Sequence, residues 1–223
     1  DSSYTWLDVP FQSPTAHRVE SHFELELSAD GSAKGKARFV GVGNIGSRFR
    51  KSARNAETFK RLFEYLTGLF FPGSTFENVR AIEVADLQSP AEIQVQFRTN
   101  TAGKRDRKEL RVTLPHGWKP RTIFQKETRE HPLLLGSPSQ DITTGTFSIP
   151  PGTKVRTLPR AVHLKTRCLE FERTVSKANK TVAFQEKLTS KCERIPPEEY
   201  DTHREFAQSV MDLHRDDLVL KVR

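Results

Sequence analysis

No run of about eighteen apolar residues occurs in the 223 residues, so nothing in the sequence reads as a membrane-crossing helix. Cysteine is nearly absent, with Cys168 and Cys192 the two present. They do not form a C-x-x-C pair, which argues against a structural zinc site. Two cysteines fit either one disulfide or two buried thiols. The G-x-S-x-G nucleophile elbow, the P-loop and H-E-x-x-H are missing as well. His17, His22, His116, His131, His163, His203 and His214 are scattered without ligand spacing, so no metal and no cofactor is expected. Position 1 is Asp and no signal peptide is visible, which reads as a chain cut from something longer.

Apolar residues make up a low 35%, yet 15 Phe supply much of a core large enough for one domain or two small ones. The net charge is +8 and the pI about 9.6. A basic surface attracts nucleic acid or other anionic polymers, but here 36 basic residues are interspersed with 28 acidic ones. The densest basic runs are Arg48, Arg50 and Lys51, and then Lys104, Arg105, Arg107 and Lys108. The second run reads first as a hairpin tip and second as a nucleic-acid patch. No aromatic RNA-binding signature accompanies either.

Alternation dominates the chain. From His17 to Ser28, Val19, Ser21, Phe23, Leu25 and Leu27 share one strand face. Asp30-Gly31 then signals a hairpin, and a second strand returns over Ser32–Val42. Gly41, Gly43 and Gly46 match G-x-G-x-x-G literally, but the preceding strand is polar and lies in a hairpin, unlike a dinucleotide-binding βαβ unit. A helix is predicted over about 52–70 from the 3- and 4-residue spacing of Phe59, Leu62, Phe63, Leu66 and Phe70. Strands follow over Phe76–Leu87, Glu92–Thr99 and Glu109–Pro115. A Pro- and Gly-punctuated stretch runs from His116 to about Pro159 and reads as edge strands and loops. A long hairpin is predicted over 164–192 and a last helix over about 197–215. The class is therefore α+β, mostly β, with two antiparallel sandwich-like sheets each covered by an amphipathic helix. The domains expected are 1–115 and 116–223.

The acidic cluster Glu198, Glu199, Asp201 and His203 reads as the front of that last helix, where the dipole favours negative charge, rather than as a metal site. Cys168, His203 and Asp216 fall in the order used by cysteine hydrolases of the papain or transglutaminase type. A catalytic thiolate belongs at a helix N-terminus, whereas Cys168 leads into a strand, so a cross-strand bridge to Cys192 is the better use. Trp6 and Trp118 read as core or domain-edge anchors.

Several segments together resemble a known arrangement. Trp6-Leu7-Asp8-Val9-Pro10-Phe11 is similar to the exit of a bacterial transglutaminase-like domain, although Val9 interrupts the Asp-Pro step. The β-rich block through FPGSTFENVRAIEVADLQSPAEIQVQF and the closing IPPEEYDTHREF helix resemble regions flanking that domain. The resemblance implies a C-terminal accessory region of a multi-domain bacterial envelope protein, periplasmic or extracellular, with the catalytic core outside these residues.

The function expected is non-catalytic: an interaction domain offering sheet faces, edges or loops to a partner protein or a cell-envelope polymer. A cysteine hydrolase using Cys168 with His203 and Asp216 is the alternative. Binding of an anionic polymer through the seven basic residues named above is the third reading.

Overall fold

The computed structural model describes residues 12–82 and 84–222. Trp6 and the Asp8-Val9-Pro10 step lie outside the described residues. In chain order the elements are strands β1 (Arg18–Leu27) and β2 (Ala33–Val42), helices α1 (Asn44–Ala53) and α2 (Ala56–Phe70), and strands β3 (Thr75–Ile82), β4 (Ala91–Thr99), β5 (Lys104–Asp106) and β6 (Glu109–Val112). Strands β7 (Leu133–Leu134), β8 (Ser139–Ser148), β9 (Lys154–Thr157), β10 (Val162–Lys165), β11 (Leu169–Ala178), β12 (Thr181–Ser190) and β13 (Arg194–Ile195) follow. Helix α3 (Tyr200–Leu213) and strand β14 (Leu218–Lys221) end the chain. The protein is mostly β, with three α-helices among the described residues and several antiparallel strand pairings. No described helix is long and apolar enough to cross a membrane.

An eight-stranded sheet in the order β10-β11-β12-β8-β1-β2-β4-β3 runs through the molecule. Strands from both sides of residue 116 therefore hydrogen-bond in one sheet. The junction is the parallel pairing of β1 with β8, where Ser21 stands opposite Thr143 and Leu25 opposite Phe147. The stretch expected to hold only edge strands and loops thus supplies a central strand. Ser139–Ser148 contains no proline, and its Thr-rich sequence suits a ladder on both sides. A four-stranded sheet, β5-β6-β14-β9, and the short pair β13-β7 complete the β structure.

Local chemistry accounts for the elements. On β1, Phe23, Leu25 and Leu27 are buried while Glu24 and Glu26 are exposed, as period-2 alternation requires. The β1–β2 loop is wider than a two-residue turn: Leu27 pairs with Ala33, Gly31 takes φ 96°, and Asp30 Oδ1 accepts from Ser32 N at 2.9 Å. Asn179, at φ 51°, turns the β11–β12 hairpin. The single helix expected over 52–70 is two helices. Arg54 closes the first and Asn55 caps the second, accepting from Glu57 N and Thr58 N at 2.9 and 3.2 Å. The glycines of GVGNIG serve close packing: a Cβ on Gly46 would stand 2.7 Å from Gly41 O, so α1 can lie against β2 only without it. A nucleotide loop is not needed to explain them.

The buried apolar side chains form two clusters. The larger holds Phe23, Phe39, Phe71, Phe97, Phe147 and Phe184, with Phe59, Leu62, Leu66 and Phe70 of α2 packed against it. Phe23 and Phe70 rings lie 4.7 Å apart, and Phe63 and Phe76 rings 5.2 Å apart. The smaller cluster holds Leu169, Phe171 and Leu188 with Tyr200, Phe206, Ala207, Val210 and Leu213 of α3. Trp118 packs on its margin, 6.1 Å from Phe206.

Candidate functional site

A row of polar side chains separates the two apolar clusters. Strands β11, β12, β8 and β1 place Arg173, Glu186, Thr143 and Ser21 side by side on the buried face, since the register pairs Arg173 with Glu186, Glu186 with Thr143, and Thr143 with Ser21. All four are buried. On the first two strands of the row apolar residues lie on either side: Phe171 and Val175 on β11, Phe184 and Leu188 on β12.

Arg173 Nε donates to Glu186 Oε1 at 2.7 Å, its Nη1 donates to Leu213 O at 2.9 Å, and Asp216 Oδ2 stands 3.7 Å away. The other carboxylate oxygen of Glu186 meets His116 Nδ1 at 2.9 Å, and His116 Nε2 meets His214 O at 3.2 Å. The His116 and His214 rings stack at 3.8 Å. Asp141 lies two residues before Thr143 on the same face of β8 and is half-buried, with its carboxyl against Gly117. A Cβ on Gly117 would come within 2.6 Å of Thr143 Oγ1 and closer still to Asp141 Oδ1, so Pro115-His116-Gly117 can cross the row only with glycine at its third position. Thr143 Oγ1, Arg173 Nη2 and His214 Nε2 are buried with no hydrogen-bond partner among the described residues.

The electrostatics follow from burial. Desolvation pushes the Asp141 carboxyl up to about 7, with the negative charge of Glu186 adding to it. His214 is driven down to about 3, first by desolvation, then by His116 and Arg173, with Glu186 opposing. Glu186 stays below its ordinary value: burial raises it, but His116 and Arg173 together outweigh burial.

Two opposing pH dependences result. Folded Asp141 keeps its proton to about pH 7 while the unfolded chain loses it near 3.8, so this contribution is complete in acid and fades as pH rises through 7. Folded His214 stays neutral down to about 3 while the unfolded chain protonates below 6.5, so its contribution is complete above 6.5 and is lost as pH falls through 3. Between roughly pH 4 and 6.5 the two offset each other. Urea midpoints across that window should rise with pH in Asp141→Asn and fall with pH in His214→Gln, with the parent chain flatter than either. Three parallel curves would show that these groups are not buried as described.

His116, Glu186 and His214 could each offer a metal one ligand atom, and these atoms lie within 4.8 Å of one another. The guanidinium of Arg173 on the same carboxylate opposes a cation there. The row reads as a charge-balanced structural network whose buried partners fix strand register.

The other candidates sort themselves by position. Cys168 and Cys192 are joined in a disulfide with Cα atoms 5.1 Å apart. His203 is buried in α3 beside Cys168; the Glu199 carboxylate pairs with Arg167 at 2.7 Å, while the Glu199 backbone carbonyl meets His203 Nδ1 at 2.8 Å. Asp216 pairs instead with Arg160 at 2.9 Å, so Cys168 and His203 come together while the third member of the cysteine-hydrolase order is engaged with arginines. Arg50 is not a surface cation: it is buried and donates from Nε and Nη2 to Asp86 O at 3.2 and 2.8 Å, holding the loop after β3. Arg48 and Lys51 are exposed on α1, and Lys104, Arg105, Arg107 and Lys108 are exposed on the β5–β6 hairpin, with Arg107 at φ 50° in its turn.

On the opposite, outward face of the sheet, β1, β2, β4 and β3 present an open depression of about 350 Å³ lined by His22, Glu24, Lys36, Arg38, Gln94 and Gln96, among others. Cross-strand register sets Glu24 against Lys36 and Glu26 against Lys34. Arg38 pairs with Glu92 at 3.2 Å, and Arg98 with Glu77. Sequence reasoning missed this surface and the inner row alike. The row did leave a signal, in that L-x-F-x-R-x-V and V-x-F-x-E-x-L each put one charge on an apolar strand face.

Comparison with known proteins places part of the chain. Residues 121–220, a little under half of it, match the family DUF3858, described as "Domain of Unknown Function with solved-structure structure". That segment carries Asp141, Arg173, Glu186, His203, His214 and both cysteines, while His116 lies just outside it. No curated protein matches. Among solved structures, a crystal structure described as "a putative protease from Parabacteroides distasonis" is similar over 51% of this chain, with 15% identity and a TM-score of 0.44. The chain spans 23% of that protein's length.

Proposed function

We propose that this chain is a non-catalytic accessory domain of a bacterial cell-envelope protein, periplasmic or extracellular, that binds a protein partner through the outward face of its eight-stranded sheet. One observation carries the reading: that face is a broad chequerboard of Glu, Lys, Arg, Gln and Asn side chains around an open depression. Opposed charges alternating at strand spacing suit a protein surface of complementary pattern. An anionic polymer would favour a field of one sign, and stacking on a sugar would favour an aromatic ring, which the residues lining the depression do not offer. The disulfide supports the non-catalytic reading, because it leaves neither sulfur as a nucleophile.

The test is site-specific photo-crosslinking in envelope extracts. A crosslinker at Gln94 or Gln96 should trap one discrete protein, and Lys36→Glu with Arg38→Glu should lower the yield by roughly tenfold or more. A crosslinker at Ser209 on α3 should trap nothing comparable. Co-sedimentation with peptidoglycan and no protein adduct would assign a polymer instead, and turnover of peptide, ester or glycan substrates would overturn the non-catalytic reading.

A further inference from the structure

The surroundings of the disulfide hold more than a covalent staple. Cys168 Sγ, a carboxylate oxygen of Glu199 and a ring nitrogen of His203 lie within 4.8 Å of one another. Cys192 Sγ is bonded to Cys168, so four donor side chains share one locality. His203 is 1% exposed. Its Nδ1 stands 2.8 Å from the backbone carbonyl of Glu199, which can only accept, so Nδ1 carries the hydrogen and donates. Nε2 therefore keeps its lone pair, buried and without a hydrogen-bond partner among the described residues. An imidazole oriented by a backbone carbonyl, with its other nitrogen bare, is the arrangement that metal-ligating histidines adopt.

We infer that reduction of the Cys168–Cys192 bond creates a zinc site formed by both thiolates, His203 and Glu199. Two thiolates, one imidazole and one carboxylate make a four-coordinate donor set suited to Zn²⁺. Contraction of these atoms onto a tetrahedral ion requires that the sulfurs separate, that Cys192 Sγ, which stands outside the 4.8 Å group, swing in toward His203 and Glu199, and that the Glu199 carboxylate turn from Arg167, a pair on the exposed side. Unlike the His116–Glu186–His214 group, this one has no buried arginine on its carboxylate.

The chemistry is balanced by an external dithiol. Its thiolate attacks the sulfur of Cys192, the less buried cysteine, which lines a surface depression with Arg167, Lys191, Glu193 and Arg194. Arg167 and Lys191 are paired with Glu199 and Glu170, so the exposed Arg194 is the cation placed to stabilise the approaching thiolate. The sulfur–sulfur bond breaks, Cys168 leaves as thiolate beside His203, and the mixed disulfide forms on Cys192. The second thiol of the reductant then displaces Cys192, so the reductant ends as a disulfide and the protein holds two reduced cysteines. Zinc binding releases any protons those thiols carry. The site is thus closed under oxidising conditions and open under reducing ones.

The experiment compares oxidised and reduced full chain for Zn²⁺ uptake by chelator competition, and for Co²⁺ by thiolate-to-metal charge-transfer absorption. The reduced chain should bind one equivalent and show the charge-transfer band, and the oxidised chain should show neither. Glu199→Gln and His203→Asn should each weaken zinc binding roughly 10- to 100-fold, and Cys168→Ser with Cys192→Ser should abolish the band. Circular dichroism accompanies each measurement. Equal uptake by oxidised and reduced chain, a missing cobalt–thiolate band, unchanged affinity in a folded Glu199→Gln chain, or a fold lost on reduction that zinc does not restore would each overturn the inference.

Discussion

Replacing Glu186 by leucine should destabilise the protein by roughly 3–5 kcal/mol, more than the loss of one ordinary hydrogen bond. The reason lies in what remains. Arg173 has no exposed side-chain surface, and its shortest charged contact is the 2.7 Å bond to Glu186. Without Glu186, the guanidinium keeps Leu213 O and a 3.7 Å approach to Asp216, too little to offset a buried cation. His116 also loses the acceptor of its Nδ1. Arg173→Met should cost a similar amount, since it strips Glu186 of its nearest cation.

The double variant Arg173→Met with Glu186→Leu should regain most of what either single change loses, because both charges go at once and apolar neighbours lie on each side. Urea denaturation of the four proteins gives the coupling directly. Losses that simply add would mean that the ion pair is not the unit described. The pair also carries register information. A one-residue slip of β12 past β11 would set Arg173 against Gln185 or Lys187, which point to the other face. The prediction therefore extends to folding fidelity, with the double variant showing broadened amide spectra around β11 and β12.

Much of the architecture was legible because it is local. Alternation in β1, β2, β11 and β12, the apolar spacing of α2 and the proline-led start of α3 are all short-range patterns, and the structure has those elements within a few residues of where they were expected. Helix α1 was hidden because its sequence, NIGSRFRKSA, is mostly polar, with Ile45 and Phe49 its large apolar residues, and it relies on close backbone approach at Gly41 and Gly46. The parallel pairing of β1 with β8 joins residues more than a hundred apart and leaves no local trace, so the single sheet through both halves was out of reach. The inner site was half legible. Arg173 and Glu186 break the apolar face of two strands that hairpin geometry brings together, whereas His116 and His214 meet only through tertiary packing. The proximity of His203 to Cys168 likewise depends on where α3 lands on β11.

Removing both cysteines, as Cys168→Ala with Cys192→Ala, should cost about 3.5 kcal/mol if the chain-entropy account of a 25-residue loop applies. A further loss comes from truncation at Cys168, which is fully buried against the α3 cluster. The bond ties the start of β11 to the segment just after β12, at the open end of the hairpin opposite the Asn179 turn. That end also positions α3, whose Tyr200, Phe206 and Val210 pack on it. Amide exchange should therefore quicken first at the β11–β12 open end and the first turns of α3, and least in α2 and β4, which belong to the other cluster. Thermal and urea unfolding measure the size of the effect. Reduced parent chain should lose a similar amount in the absence of metal, and should recover in proportion to zinc concentration if the four-donor site exists. Uniform acceleration of exchange across both clusters, or a reduced chain as stable as the oxidised one, would show that the bond constrains something other than this end of the sheet.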